Sequence, residues 1–412
     1  MKTKRLIVAV LASLLAVGAF AQDAKPQFKW YGFFRNYFTF DTRESTAGVE
    51  DFYYFMPKDV NYGLNGEDLN EGCSFRFAAL TTRLGLDVTG YQYDGYDIGA
   101  KIETDFYSGV SGTTGAATLR LRQAYVTLAK GARSWKIGQA WHPMAADMPD
   151  IFSLETGAPF GPFSRTPLVN FDYAASDAVT LSASAMWQMQ YTSTGPEGNS
   201  ADYLKYGMIP ELYLGVSYKS GNALLRAGVD VLSIKPRRLD STGSFKVSDR
   251  LTTFTVFQFG QFKAGDFTIK EKLTFANDGS HMNMVGGYGV TAINSDGSWE
   301  YGATRNLSGW ASLQYKKGGS RWVPSVFFGY TKNLGVAEPV LGGFWCKNSA
   351  NSLGQLFRIQ PEVLYNLGNV QFGLEYMFTD AEYGSADEFK EVVNNLHWAY
   401  NNRIQMMVKY TF

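Results

Sequence analysis

The sequence predicts an all-β protein: a single transmembrane antiparallel β-barrel of 16 strands, with long extracellular loops at one end and short periplasmic turns at the other. Three observations predict it. Stretches of about ten residues alternate apolar and polar side chains along the chain. The connections between them alternate between short and long. The chain opens with an export signal, and no later apolar run approaches the roughly 20 residues of a spanning helix.

Composition narrows the classes first. Of 412 residues, 45% are hydrophobic and 16% aromatic, with 43 Gly and only 13 Pro. Disordered chains have few aromatics and high net charge, so disorder is excluded. Two Cys cannot staple a disulfide scaffold. Lys+Arg and Asp+Glu are equal at 38 each, so no basic excess supports nucleic-acid binding. A slightly negative mean hydropathy argues against a bundle of membrane helices.

The first element is a targeting segment. Lys2, Lys4 and Arg5 form a positive start, Leu6 to Gly18 an apolar run, and Ala19-Phe20-Ala21 a small-x-small site. These features read as a secretory signal peptide over residues 1–21, cut after Ala21. Removing its three cations leaves 35 basic against 38 acidic residues. The mature domain, 22–412, is then exported. Only a few residues separate the cut from Phe28, so no plug domain is expected before the first strand.

The strands follow. In 96–107, Tyr96, Ile98, Ala100, Ile102, Thr104 and Phe106 oppose Asp97, Lys101, Glu103, Asp105 and Tyr107. In 179–191, Val179, Leu181, Ala183, Ala185, Trp187, Met189 and Tyr191 share one face. Segment 370–379 alternates likewise. At the chain end Ile404, Met406, Val408, Tyr410 and Phe412 face one way, and Arg403, Gln405, Met407, Lys409 and Thr411 the other. Each is a half-buried strand signal.

Short connections centre on Asp94-Gly95, Gly131, Ser176-Asp177, Gly221-Asn222, Gly265-Asp266, Gly318-Gly319 and Gly368-Asn369, the residue types tight hairpins need. Long ones span roughly 42–73, 108–117, 142–165, 192–208, 235–249, 276–304, 332–353 and 380–396. Seven short and eight long connections make 16 strands. A soluble sandwich has no reason to lengthen every second connection, whereas an outer-membrane barrel does. Aromatics near strand ends, among them Trp30, Tyr96, Tyr125, Trp187, Tyr191, Tyr218 and Tyr315, read as interface girdles.

The terminal strand ending in Phe412, with Ile404, Met406, Val408 and Tyr410 on its face, resembles the C-terminal signal of Gram-negative outer-membrane proteins. That resemblance implies the barrel assembly machinery as a partner. The chain as a whole resembles a 16-stranded porin. Leu119-Arg120-Leu121-Arg122-Gln123-Ala124-Tyr125-Val126, followed by Ile137-Gly138-Gln139-Ala140-Trp141, resembles the DcaP-like trimeric porins, and the Tyr/Phe/Asn-rich style resembles porins of Bacteroidota. The resemblance implies a homotrimer in the outer-membrane bilayer that passes small hydrophilic solutes by diffusion. It also implies that the third long loop, 142–165, folds inward and constricts the lumen.

The residues of that loop fit such a fold. Met144, Met148, Ile151, Phe152, Leu154, Phe160 and Phe163 are too apolar for a solvated loop. Its Asp147, Asp150 and Glu155, and Arg165 at its end, are expected at the constriction. Arg35, Arg83, Lys101, Arg120 and Arg122 fall on inward faces of the first four strands and are expected to form a basic ladder opposite those carboxylates. Opposed charge across a wet aperture orders water and selects polar solutes. The alternative is that Arg120 and Arg122 satisfy Glu103 and Asp105. Glu271 falls on an outward face, unexpectedly for a lipid-exposed position.

No enzyme is expected. The three histidines, His142, His281 and His397, lie in or beside loops, and His281, beside Ser280 and Asp278, reads as a solvated loop histidine. No metal-ligand spacing stands out and no cofactor is expected. Cys73 and Cys346 read as two free thiols on non-neighbouring strands. A channel selective for anionic or carboxylated solutes, an outer-membrane hydrolase and a loop-based adhesin are the alternatives to free diffusion.

Overall fold

A computed structural model describes residues 25–110 and 113–412. The predicted signal peptide, 1–21, lies outside the described residues. In chain order the strands are β1 (Gln27–Asp41), β2 (Ser45–Gly48), β3 (Tyr53–Pro57), β4 (Ser74–Ala78), β5 (Arg83–Tyr93), β6 (Tyr96–Val110), β7 (Thr113–Lys130), β8 (Arg133–Trp141), β9 (Arg165–Ala174), β10 (Val179–Met186), β11 (Glu211–Ser220) and β12 (Ala223–Ile234). They continue with β13 (Leu251–Ala264), β14 (Phe267–Asn277), β15 (Gly286–Ile293), β16 (Trp299–Ala303), β17 (Arg305–Tyr315), β18 (Trp322–Asn333), β19 (Phe344–Lys347), β20 (Leu353–Leu367), β21 (Val370–Ala386) and β22 (Val392–Thr411).

Sixteen staves close into one antiparallel barrel, each beside its neighbour in sequence. Closure is made by β1 and β22, in register from Phe33 opposite Thr411 to Asp41 opposite Arg403. The second stave is broken: β1 pairs with β5 over its first half and with β4 over its second. Closing the sheet pairs every backbone polar group that an open edge would leave in lipid. All seven predicted turns join neighbouring staves, and the start of β1 meets the chain end at the turn end, where Gly32 and Phe412 exchange backbone hydrogen bonds.

The faces follow the alternation. On β22, Ile404, Met406 and Tyr410 are exposed outward, while Arg403, Gln405 and Met407 are buried inside. Glu271 does face outward, where its Oε2 accepts a hydrogen bond from Gln258 on β13 at 2.7 Å. The structure departs from expectation at two long connections. Strands β6 and β7 extend to within two residues of each other, and β21 and β22 continue into a hairpin, so 108–117 and 380–396 are largely strand. A β-bulge where Arg122 and Gln123 face Glu103 also flips the faces of β7. A bulge inserts one unpaired residue, and with a period of two this exchanges the faces. Tyr125 therefore lies opposite Lys101 on the lumen side, not in a girdle. Tyr191 is likewise inside, edge-on to Phe163.

A third difference is that the lumen contains a core. The β2–β3 hairpin, the segment 142–164 and the turn 279–282 all turn inward. Tyr54, Met56, Met144, Phe160, Met282 and Met284 are buried among inward residues Phe259, Trp310 and Phe327. Each large apolar side chain withdrawn from water contributes roughly 1.5–3 kcal/mol, which holds these loops inside. A three-stranded sheet of β16, β15 and β19 lies beyond the barrel ends of β14, β17 and β20.

Candidate functional site

The segment between β8 and β9 crosses the barrel interior and is anchored on many staves. Tyr37 on β1 donates its hydroxyl to the Phe152 carbonyl at 2.7 Å. Glu362 on β20 accepts the Phe152 N–H at 2.9 Å. Lys272 on β14 donates to the carbonyls of Met144 and Asp147, each at 2.7 Å. The wall is shaped to receive two rings. Phe160 lies against Gly329 on β18, and Phe152 lies 2.7 Å from where a Cβ on Gly373 of β21 would stand. Any side chain at either glycine would push the loop away.

The loop carboxylates are held individually. Asp147 pairs with Arg226 on β12 at 2.8 Å, and Asp150 with Lys270 on β14 at 2.6 Å. Glu155 pairs with Arg358 on β20 at 3.3 Å, both side chains fully buried. Burial raises the Glu155 carboxyl above its ordinary range, and the Arg358 guanidinium opposes that rise. Asp147 and Glu155 are thus turned to β12 and β20, while Asp150, bound to β14, still lines the cavity that the early-stave arginines line. The expected opposition between a negative loop and a basic ladder is therefore reduced to Asp150.

The basic residues of the early staves sort into three groups. Arg120 makes a bidentate pair with Asp105, both bonds 2.9 Å. Arg122 bridges Glu103 at 2.7 Å and Asp105 at 2.8 Å. Arg83 is a looser partner of Glu103 at 3.7 Å, and its Nε has no hydrogen-bond partner. Arg35 donates to Thr81 at 3.0 Å and is flanked by the rings of Phe33 and Tyr37. Across the closing seam Arg35 stands opposite Lys409, and neither makes an ion pair among the described residues.

Arg35, Arg83, Arg120, Arg122 and Lys409 line a cavity of about 510 Å³ between the early staves and the inward loop, with Asp150 and Glu362 on its far side. Four expected site residues lie elsewhere: Asp147 and Glu155, held as described above, and Lys101 and Arg165. Lys101 sits nearer the turn end, bound to Asp87 at 2.9 Å and to the Tyr31 hydroxyl at 3.0 Å. Arg165 begins β9 instead of ending the loop, and it is buried against the Trp141 ring at 4.5 Å. Lys409 is legible from the inward parity of the last strand, where it alternates with the outward Val408 and Tyr410. Tyr53 and Tyr191, on inward loops, also reach the cavity. Burial raises the Tyr191 hydroxyl to about 12 and that of Tyr53 well above the usual range, so both stay neutral donors.

The histidines correct another expectation. His281 is buried, 3% exposed, not solvated, and His142 is buried too, 1% exposed. His142 donates from the loop root to Glu211 at 3.0 Å. Their loops fold inward, which a local reading of polar neighbours cannot register. Ser280 Oγ makes no hydrogen bond, so the Ser280–His281 pair a hydrolase would need is not formed. Cys73 and Cys346 are unbonded thiols.

No family model matches this chain, and no curated protein matches it. Solved structures do. The outer membrane channel DcaP of Acinetobacter baumannii superposes with a TM-score of 0.68 over 95% of this chain and 99% of that one, at 20% identity. An anion-selective porin from Comamonas acidovorans gives 0.58, over 94% and 100%, at 11% identity. OmpT of Vibrio cholerae in its trimer form gives 0.56, over 94% and 99%, at 12% identity. The chain has the fold of the 16-stranded outer-membrane porins.

Proposed function

We propose that this protein is an outer-membrane channel through which small hydrophilic solutes and ions diffuse passively, with a preference for anions. One observation carries the reading: a polar, arginine-walled cavity beside a loop that crosses a closed 16-stranded barrel. Barrels of this size are wide enough to hold water, and an inward loop narrows that space to a selective aperture. Guanidinium groups are permanently charged and present several donors in one plane, which suits carboxylates and phosphates. Arg35 and Lys409 make no ion pair among the described residues, and the lining carries five cations against four carboxylates, so the local field is positive.

A homotrimer in the bilayer fits the same reading. Phe28, Trp30, Phe34, Phe75 and Phe77 expose an aromatic surface on β1 and the neighbouring stave, and one of the structural relatives is a trimer. The outward run Ile404, Met406, Val408, Tyr410 and Phe412 serves as the signal for the barrel assembly machinery, and residues 1–21 as the cleaved export signal. The pore role of Arg35, Arg83, Arg120 and Arg122 and the constriction role of 142–164 belong to this proposal. Purified protein in a planar bilayer under a salt gradient tests it. Stepwise conductance with an anion-favouring reversal potential is expected; a barrel that never conducts would overturn the reading.

A further inference from the structure

Away from the arginine-walled cavity, four side chains from distant parts of the chain meet inside the barrel. His142 stands at the loop root, Glu211 begins β11, Asp230 lies on β12 and His281 sits in the turn 279–282. None is more than 3% exposed. The ligand atoms of His142, Glu211 and Asp230 all lie within 4.8 Å of one another. His281 Nε2 is 3.1 Å from Glu211 Oε1 and 3.9 Å from Asp230 Oδ2.

Hydrogen bonds explain only one of the two imidazoles. His142 Nδ1 accepts the Met144 N–H at 3.2 Å, so its proton is on Nε2 and is donated to Glu211 Oε1 at 3.0 Å. That tautomer has no lone pair on Nε2 to offer a metal. His281 is different. Neither of its ring nitrogens has a hydrogen-bond partner, although Nε2 lies so near two carboxylates, and Asp230 Oδ1 has none either. Buried polar atoms without partners are uncommon in folded proteins. An imidazole nitrogen and two carboxylates that converge without a proton aligned between them are arranged as a ligand set.

We propose that His281 Nε2, Glu211 and Asp230 hold a divalent transition-metal ion, with zinc as the ion the donor set favours, and that His142 orients Glu211 through its Nε2–H. Ligands of a tetrahedral zinc ion stand about 3.3 Å apart, between the two separations of His281 from its carboxylates. Magnesium and calcium take all-oxygen shells, so the imidazole points to a first-row transition metal. The Asp278 carboxylate is buried near His281, and both of its oxygens are unpartnered. The fourth position is left for water. The ion would tie the loop root, β11, β12 and the turn 279–282 into one unit, so it would act as a structural clamp on the inward loop.

The experiment uses the full, untagged chain in detergent, stripped with chelator and equilibrated with Zn²⁺ or with Mg²⁺. Wild type is expected to keep about one zinc per chain by elemental analysis and no magnesium. His281→Gln and Asp230→Asn should lose zinc affinity by 100-fold or more, and His142→Gln, which acts through Glu211, by roughly 10–100-fold. Heat-modifiable migration identifies variants that fold. If a variant fails to fold, Co²⁺ on the wild type still decides, since a His–carboxylate site gives visible ligand-field bands. Sub-stoichiometric zinc on wild type, cobalt without those bands, or unchanged zinc binding in folded His281→Gln would each overturn the proposal.

Discussion

Arg358 shows what single buried charges do in this barrel. It lies wholly inside, ion-paired with Glu155 and donating to the Phe55 carbonyl at 2.8 Å, so one side chain holds both inward loops. Removing one partner of a buried pair leaves the other charge uncompensated, at a cost of about 3–5 kcal/mol. Arg358→Met should therefore lower unfolding stability by that amount in a urea titration, whereas Glu155→Gln, which can stay neutral and hydrogen-bonded, should cost less. Equal losses would contradict the pairing. Charge sign is also decided by single residues. Neutralising Arg35 and Lys409 together should shift the reversal potential towards cations severalfold in permeability ratio. Arg120→Gln with Arg122→Gln should have a mixed effect, because Asp105 and Glu103 then lose their partners and add negative charge.

On the proposed function, the inward loop is the element that sets aperture size. Phe160 against Gly329 and Phe152 against Gly373 seat it without room for a β-carbon. Gly329→Val should unseat it, with a larger conductance step and more open-channel noise; an unchanged step would show that the loop does not set the aperture. The elements differ in how readable they were. Strands, turns and termini were legible because period two and glycine-bearing turns are local signals. Apolar residues between His142 and Ser164 announced a loop that packs. What it packs against was not legible. Asp147, Asp150 and Glu155 find Arg226, Lys270 and Arg358, which are between 79 and 203 positions away in sequence. The flipped face at Tyr125 was hidden for a different reason, since a one-residue bulge leaves no mark in composition.

Across the whole molecule, the near balance of 38 basic and 38 acidic residues conceals a strict partition. Lipid-facing positions are mostly apolar and aromatic, with the outward Gln258–Glu271 pair among the exceptions. Many inward charges cancel in pairs, and around the arginine-walled cavity five cations stand against four carboxylates, with Arg35 and Lys409 outside any ion pair among the described residues. Deleting Phe412, which closes the β1–β22 seam and ends the outward aromatic run, should slow barrel assembly, seen as accumulation of unfolded chains by heat-modifiable migration. The central claim is that the uncancelled charge sits in an open, conducting aperture. Single-channel recording of the purified protein in a salt gradient tests this most directly. Discrete conductance steps with a reversal potential on the anion side are predicted; a silent barrel, or steps favouring cations in the wild type, would contradict it.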